Sequence, residues 1–292
     1  MRRGQHRGHL GLARSRVGRV TSPIASLSDL ANLIGVTPEE LQPLAALPYR
    51  HFEVAKRDGS PRPIAEPPRA LKQAQRILLR EFWEGFPTHD AAHSVVGRSA
   101  LTNARAHSRA TWIMRLDVRD FFPSIRVPRI VNFLTGGGMA RDAAEMLAAF
   151  ATVQSTGALS QGAPASTQVA NIICRRLDIR MAGIARKLDA VYTRYVDDLT
   201  FSWTTVEKAP FVAARNSAHT VIRAEGFRMH PSKTRTFRAP ATVTGYVTGR
   251  GTVRPSIESR RNLRAAEHNA SVGKGDYDRD MGLWSFCAAV TQ

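Results

Sequence analysis

Cysteine is nearly missing from this chain. Cys174 and Cys287 are the only two in 292 residues; they fit neither a zinc-ligand spacing nor a disulfide framework, and the expected setting is a reducing cytoplasm. No apolar run approaches the roughly 20 residues needed to cross a bilayer, so no membrane partner is expected. The N-terminus has early arginines but no continuous apolar core, which argues against a signal peptide. Acidic residues are also scarce: 24 Asp and Glu against 42 Lys and Arg give a net charge of +18, and residues 1–26 contain six arginines and no acid. That balance excludes a polyanion-repelling surface and suits a nucleic-acid partner. A ribosomal or nucleoid protein would need the charge alone. With 43% hydrophobic residues, the chain can bury a substantial core and hold two or three subdomains.

The few acids that are present are placed unusually. Tyr195-Val196-Asp197-Asp198 lies between two runs of β-branched and aromatic residues, Ala190–Tyr195 and Leu199–Ser202, which reads as a hairpin with two carboxylates at its tip. Such carboxylates are hard oxygen ligands suited to Mg²⁺. Alone, an Asp-Asp pair is more often a solvated turn. Eighty residues upstream, the apolar run Trp112-Ile-Met-Arg-Leu leads into Asp117, followed by Phe121-Phe122. A carboxylate at the end of a buried strand is costly unless it meets a cation or donor; a turn-capping acid is the plainer account, and Asp120 suits it better. Asp117 with Asp197 and Asp198 would complete a three-carboxylate site for two metal ions roughly 3.5–4 Å apart, the arrangement that stabilises the attacking and leaving oxygens of an in-line phosphoryl transfer.

At these residues the sequence resembles a family. Tyr195-Val-Asp-Asp198 is similar to the Tyr-x-Asp-Asp motif of reverse transcriptases, and Leu116-Asp-Val-Arg-Asp-Phe-Phe-Pro-Ser-Ile125 to their first palm motif. Gln161-Gly-Ala-Pro-Ala-Ser-Thr-Gln-Val-Ala-Asn171 resembles their Gln-Gly-x-x-x-Ser-Pro motif, with Thr167 in the place of Pro. The motifs keep the family's order over most of the chain. Asn103-Ala-Arg-Ala-His107 and Val243-Thr-Gly245 resemble two signatures of the bacterial retron enzymes, and Phe52–Pro67 with Leu71–Gln75 resembles their fingers segment.

The resemblance implies an α+β right-hand polymerase: fingers, an antiparallel palm sheet backed by helices, and a short or truncated thumb. Its expected parts are a basic arm over 1–26, N-terminal helices and fingers over 27–110, a palm over 111–240 with fingers helices inserted at about 126–160, and a primer-grip hairpin with partial thumb over 241–292. The arm would lie along a phosphate backbone or remain a disordered tail. Short helices are expected over 26–34 and 37–44, a hairpin around Arg57-Asp-Gly-Ser60, and a helix over 69–83. One helix is expected from about Ala165 to Lys187.

For the site, the resemblance implies that Asp117, Asp197 and Asp198, with the Val118 carbonyl, hold two Mg²⁺ ions. Lys56, Arg62, Gln161 and Lys233 would serve the incoming dNTP, Lys233 by neutralising or protonating the departing pyrophosphate. Phe122 would lie under the sugar and exclude a 2′-hydroxyl. Asn103, His107, Val243, Thr244, Gly245, Arg260, Arg261 and Arg264 would contact RNA or primer. The expected partners are a dedicated structured non-coding RNA, its DNA product and a separate effector protein, in antiphage defence. Two other classes compete. An RNA-binding scaffold with a vestigial site has no use for three intact acids. A non-retron defence polymerase, or an intron or diversity-generating enzyme, would differ elsewhere: intron enzymes add a maturation domain, and the diversity-generating group alters the Gln-Gly motif, intact here through Ser166. In retron enzymes the thumb usually carries more helix than follows Gly282–Phe286, so a short thumb, a truncation or a completing partner is expected.

Overall fold

A computed structural model describes residues 24–55, 59, 61–204, 210–273 and 277–290; the basic arm through Pro23 and Lys56 lie outside these. The chain opens with helices α1 (Leu27–Ile34) and α2 (Pro38–Ala45). Ser26 and Asp29 reciprocally cap the first; at the second, the Thr37 N–H donates to Glu40 (2.7 Å) and Pro38 supplies the preset first turn. Strands β1 (Arg50–Ala55) and β2 (Pro61–Glu66) pair antiparallel as the expected hairpin. Helix α3 (Arg69–Glu81) buries Leu71, Ala74, Gln75 and Leu78 along one stripe. With α1 and α2 it packs on the later helix α6 (Arg141–Ala151). Helix α4 (Ala100–Ala106) precedes the central strand β3 (Trp112–Arg119).

From Met114 the side chains of β3 alternate. Met114, Leu116 and Val118 are buried on one face, while Arg115, Asp117 and Arg119 point to the other. Helix α5 (Val127–Gly136) and α6 follow, broken by Gly137-Gly138 as their sequence implies, then a two-residue ladder of β4 (Thr152–Val153) and β5 (Ala158–Leu159).

The helix expected over 165–187 is two helices, α7 (Ser166–Ile173) and α8 (Arg175–Lys187), divided at Cys174. Both halves carry an apolar face, and the two faces pack on different neighbours. α7 lies against α5, whereas α8 lies against strand β6 (Val191–Tyr195) and helix α9 (Phe211–Ala224).

The main sheet runs β6, β7 (Asp198–Trp203), β3, all antiparallel. The free side of β3 is shared by β8 (Arg228–Met229), opposite Val118-Arg119, and β9 (Arg235–Arg238), opposite Trp112–Arg115. A second sheet of β10 (Ala241–Val243), β11 (Tyr246–Gly249) and β12 (Thr252–Pro255) packs with α4 and the C-terminal helices α10 (Ile257–Ser271) and α11 (Tyr277–Ala288). Among the described residues no helix is long and apolar enough to cross a membrane.

Candidate active site

The acids meet where β3 passes the β6–β7 turn. Asp117 lies directly opposite Asp198 in the ladder, and Tyr195 opposite Asp198 closes a two-residue turn of Val196 and Asp197. The Val118 N–H donates to the Asp197 carbonyl at 3.1 Å, tying the turn to β3. Val196 takes φ of +56°, a conformation that disfavours a β-branched residue and persists only when its surroundings impose it.

The surroundings are a buried polar network that sequence reading missed. Arg194 and Asp178 have no exposed side-chain surface and form a two-pronged ion pair at 2.8 and 2.7 Å. Arg194 also donates to Asn171 (3.0 Å) and to the Val196 carbonyl (3.1 Å), and Tyr192 donates to Asp178 (2.8 Å). Asn171 donates to the Ser94 carbonyl, and Ser94 Oγ accepts from the Val196 N–H at 3.3 Å. Both backbone polar groups of the strained residue are thereby held. A charged Arg immediately before Tyr195, inside a run that reads as a buried strand, was the available signal, since a buried cation requires a partner.

Cations flank the acids. Between β8 and β9 the chain bulges opposite Asp117: the His230 N–H donates to the Asp117 carbonyl at 2.8 Å, and Lys233 Nζ reaches both Asp117 carboxylate oxygens at 3.3 and 3.4 Å. Arg115 pairs with Asp198 at 3.4 Å. Burial, then the neighbouring Asp198 and Asp117 charges, push the Asp197 carboxyl up to about 6, and burial also raises that of Asp198 despite Arg115. As the side chains stand, no three carboxylate, His or Cys groups among the described residues converge on one point, because Asp117 leans to Lys233 and Asp198 to Arg115. The donors nonetheless fit a divalent cation: they are hard oxygens whose crowding disfavours their charged forms until positive charge is supplied.

Phe122 is partly buried and edge-on to Phe121, which is buried and stacked on Phe227. Gln161 sits in a loop fixed to the β1–β2 hairpin: Ser160 Oγ donates to the Ala65 carbonyl, and a Cβ on Gly162 (φ +135°) would come within 3.1 Å of Ala65 O and the Ile64 side chain. Arg62 is exposed on β2 opposite Val54. No hydrogen bond among the described residues joins Arg62 or Gln161 to the acids. Arg260, Arg261 and Arg264 are exposed along α10.

Three of the residues expected at the RNA or primer have buried side chains. Asn103, His107 and Val243 are each 0% exposed, so in this conformation their side chains reach no ligand. His107 bonds Ser202 Oγ and Thr193 Oγ1, both at 2.7 Å, stapling α4 across β6 and β7; burial pushes its pKa down to about 3, and it stays neutral. Asn103 donates to Thr244 Oγ1 (3.4 Å), and Thr244 donates to the Ala100 carbonyl (2.8 Å). A Cβ on Gly245 would lie 2.8 Å from the Phe286 ring. The two signatures therefore bind each other, and the glycine admits α11.

Comparison with known proteins shows the family. Residues 54–248 match the reverse transcriptase (RNA-dependent DNA polymerase) family. The retron Mx162 reverse transcriptase of Myxococcus xanthus is 37% identical over 89% of this chain and 62% of its own length. The retron Mx65 enzyme of the same organism is 37% identical over 75% and 55%. The retron Ec86 reverse transcriptase of Escherichia coli is 31% identical over 91% of this chain and 84% of its own. A solved foamy viral protease-reverse transcriptase in complex with double-stranded DNA aligns with a TM-score of 0.45 at 14% identity, covering 75% of this chain and 32% of that one. The chain belongs to the retron-type reverse transcriptases. It spans about 62% and 55% of the length of the two Myxococcus relatives.

Proposed function

We propose that this chain is an RNA-directed DNA polymerase that copies a dedicated structured RNA into single-stranded DNA. The observation that carries the reading is the meeting of Asp117, Asp197 and Asp198 at one end of the main sheet, in a chain of the retron-type family. The three carboxylates and the Val118 carbonyl would hold two Mg²⁺ ions, which when bound lower the pKa of the primer hydroxyl and offset charge on the triphosphate. The protein's own residues do the rest. Arg194 and Ser94 hold the Val196 peptide so that Asp197 and Asp198 keep their places. Phe122 supports the sugar and leaves no room for a 2′-hydroxyl. Lys233, already against Asp117, neutralises the departing pyrophosphate or gives it a proton. Lys56, Arg62 and Gln161 orient the dNTP. Thr244 and Gly245 shape the turn beside the primer, and Arg260, Arg261 and Arg264 grip phosphates without reading sequence.

Family membership supports a 2′-hydroxyl of the RNA itself as the primer, a cytoplasmic setting, and a defensive role with a separate effector protein. The test is co-expression with the DNA flanking the gene and recovery of bound nucleic acid. Short single-stranded DNA joined to RNA through a debranchase-sensitive 2′–5′ linkage is expected. DNA that is unlinked, or that starts from a 3′-end or a protein residue, would remove the retron product while leaving a polymerase.

A further inference from the structure

Two arginine pairs bracket the acids on their own face of the sheet. In the antiparallel ladder, Arg115 stands directly opposite Arg235, and Arg119 directly opposite Arg228. Partners in such a ladder share a face, and like charges set opposite each other are destabilising. Because Arg115, Asp117 and Arg119 alternate along β3, both pairs share the face of Asp117, one on each side of it. In the first pair Arg115 is compensated: it bonds the Thr242 carbonyl at 3.3 Å and Asp198 at 3.4 Å. In the second pair neither arginine has so buried a partner. Arg119 makes only a 3.4 Å contact with Asp120, with both side chains well exposed, and Arg228 has no carboxylate partner among the described residues.

The second pair lies two residues beyond Asp117 along β3, about 7 Å at strand rise, on the side from which the chain continues to Phe122. It is at the open edge of the sheet. There Arg228 also lines a groove of about 460 Å³ with His219 and Arg223 of α9 and Gly226, Phe227 and Met229, so the cationic surface continues around the edge. Two exposed arginines set opposite each other on neighbouring strands, with only the exposed Asp120 beside one of them, next to a phosphoryl-transfer site, call for a polyanion of phosphate type.

We propose that Arg119 and Arg228 form a binding site for pyrophosphate, as the β- and γ-phosphates of the incoming nucleotide and then as the free product on its way out past Arg223. The inference rests on the polymerase reading above. In that reaction the primer oxygen bonds the α-phosphorus, and the α–β bridging oxygen departs with the bonding electrons. The hydroxyl proton passes to solvent, and Lys233 supplies or neutralises charge at the leaving oxygen. Arg119 and Arg228 touch only the phosphates that leave.

The experiment uses the full chain and magnesium pyrophosphate as the probe. Its dissociation constant is measured calorimetrically for the wild type, Arg228→Ala, Arg119→Ala and Arg228→Lys, alongside pyrophosphate inhibition of primer extension and the affinity for template–primer. Arg141→Ala, an exposed α6 residue paired to Glu145, controls for net charge. Loss of one charge-assisted contact is expected to weaken pyrophosphate about 10-fold in each alanine variant. Arg228→Lys should recover part of the loss, and template–primer affinity should stay within about 2-fold of wild type. Unchanged pyrophosphate binding in both alanine variants would overturn the proposal. So would a parallel loss of template–primer affinity, which would make the pair a backbone contact. If the wild type extends no primer, the polymerase reading fails, while the binding isotherms still decide whether this is a pyrophosphate site.

Discussion

Asp197 is the residue whose chemistry most constrains this protein. Its carboxyl is pushed up to about 6 by burial and by Asp198 and Asp117, so between roughly pH 4 and 6 the metal-free native state holds a proton that the unfolded chain has released. This group's contribution to stability therefore falls as pH rises through that window. Cation binding needs the carboxylate and should strengthen through the same window. Melting curves with and without Mg²⁺ are expected to show stabilisation at pH 7.5 and almost none at pH 5; equal stabilisation at both would contradict the assignment of Asp197 as a ligand. Phe122 offers a second test at this scale. If its partly buried ring excludes the 2′-hydroxyl, Phe122→Ala should improve use of rNTPs relative to dNTPs by about 10-fold or more in the ratio of kcat/KM values. An unchanged ratio would return Phe122 to the core alongside Phe121.

At the scale of elements, the β6–β7 hairpin depends on an ion pair buried behind it. Removing one partner of such a pair leaves an uncompensated charge and costs about 3–5 kcal/mol. Arg194→Met is thus expected to lower unfolding free energy by that amount in urea titrations, and to slow synthesis further by releasing the Val196 carbonyl. Arg194→Met with Asp178→Leu should recover stability but not synthesis; full recovery of both would show that the network does not position the turn. The hairpins, β3 and the capped helices were legible because alternation, β-branched runs and capping residues such as Thr37 and Glu40 act locally. The division of the 165–187 helix at Cys174 was not, because packing against α5 on one side and β6 and α9 on the other decides it. The Asn103–His107 and Val243–Gly245 signatures were visible as patterns, but their partners were not. Nothing local in either reports that Asn103 bonds Thr244, 141 residues away.

For the whole molecule, the charge of +18 and the acid cluster separate two properties that a scaffold and a polymerase would share only in part. On the proposed reading, affinity for nucleic acid rests on many dispersed cations and should weaken steeply with salt. On the same reading, chemistry rests instead on a few oxygen ligands at one end of the sheet. The retron-type membership and the ladder that sets Asp117 opposite Asp198 favour the second class. The decisive measurement is primer extension on an RNA template with dNTPs and Mg²⁺, run beside an RNA-binding titration on the same preparations of wild type, Asp117→Asn and Asp197→Asn. The account predicts extension by the wild type, a loss of roughly 1,000-fold or more in either variant, and RNA affinity within about 2-fold of wild type. Substantial extension by either variant, or none by the wild type, would contradict it.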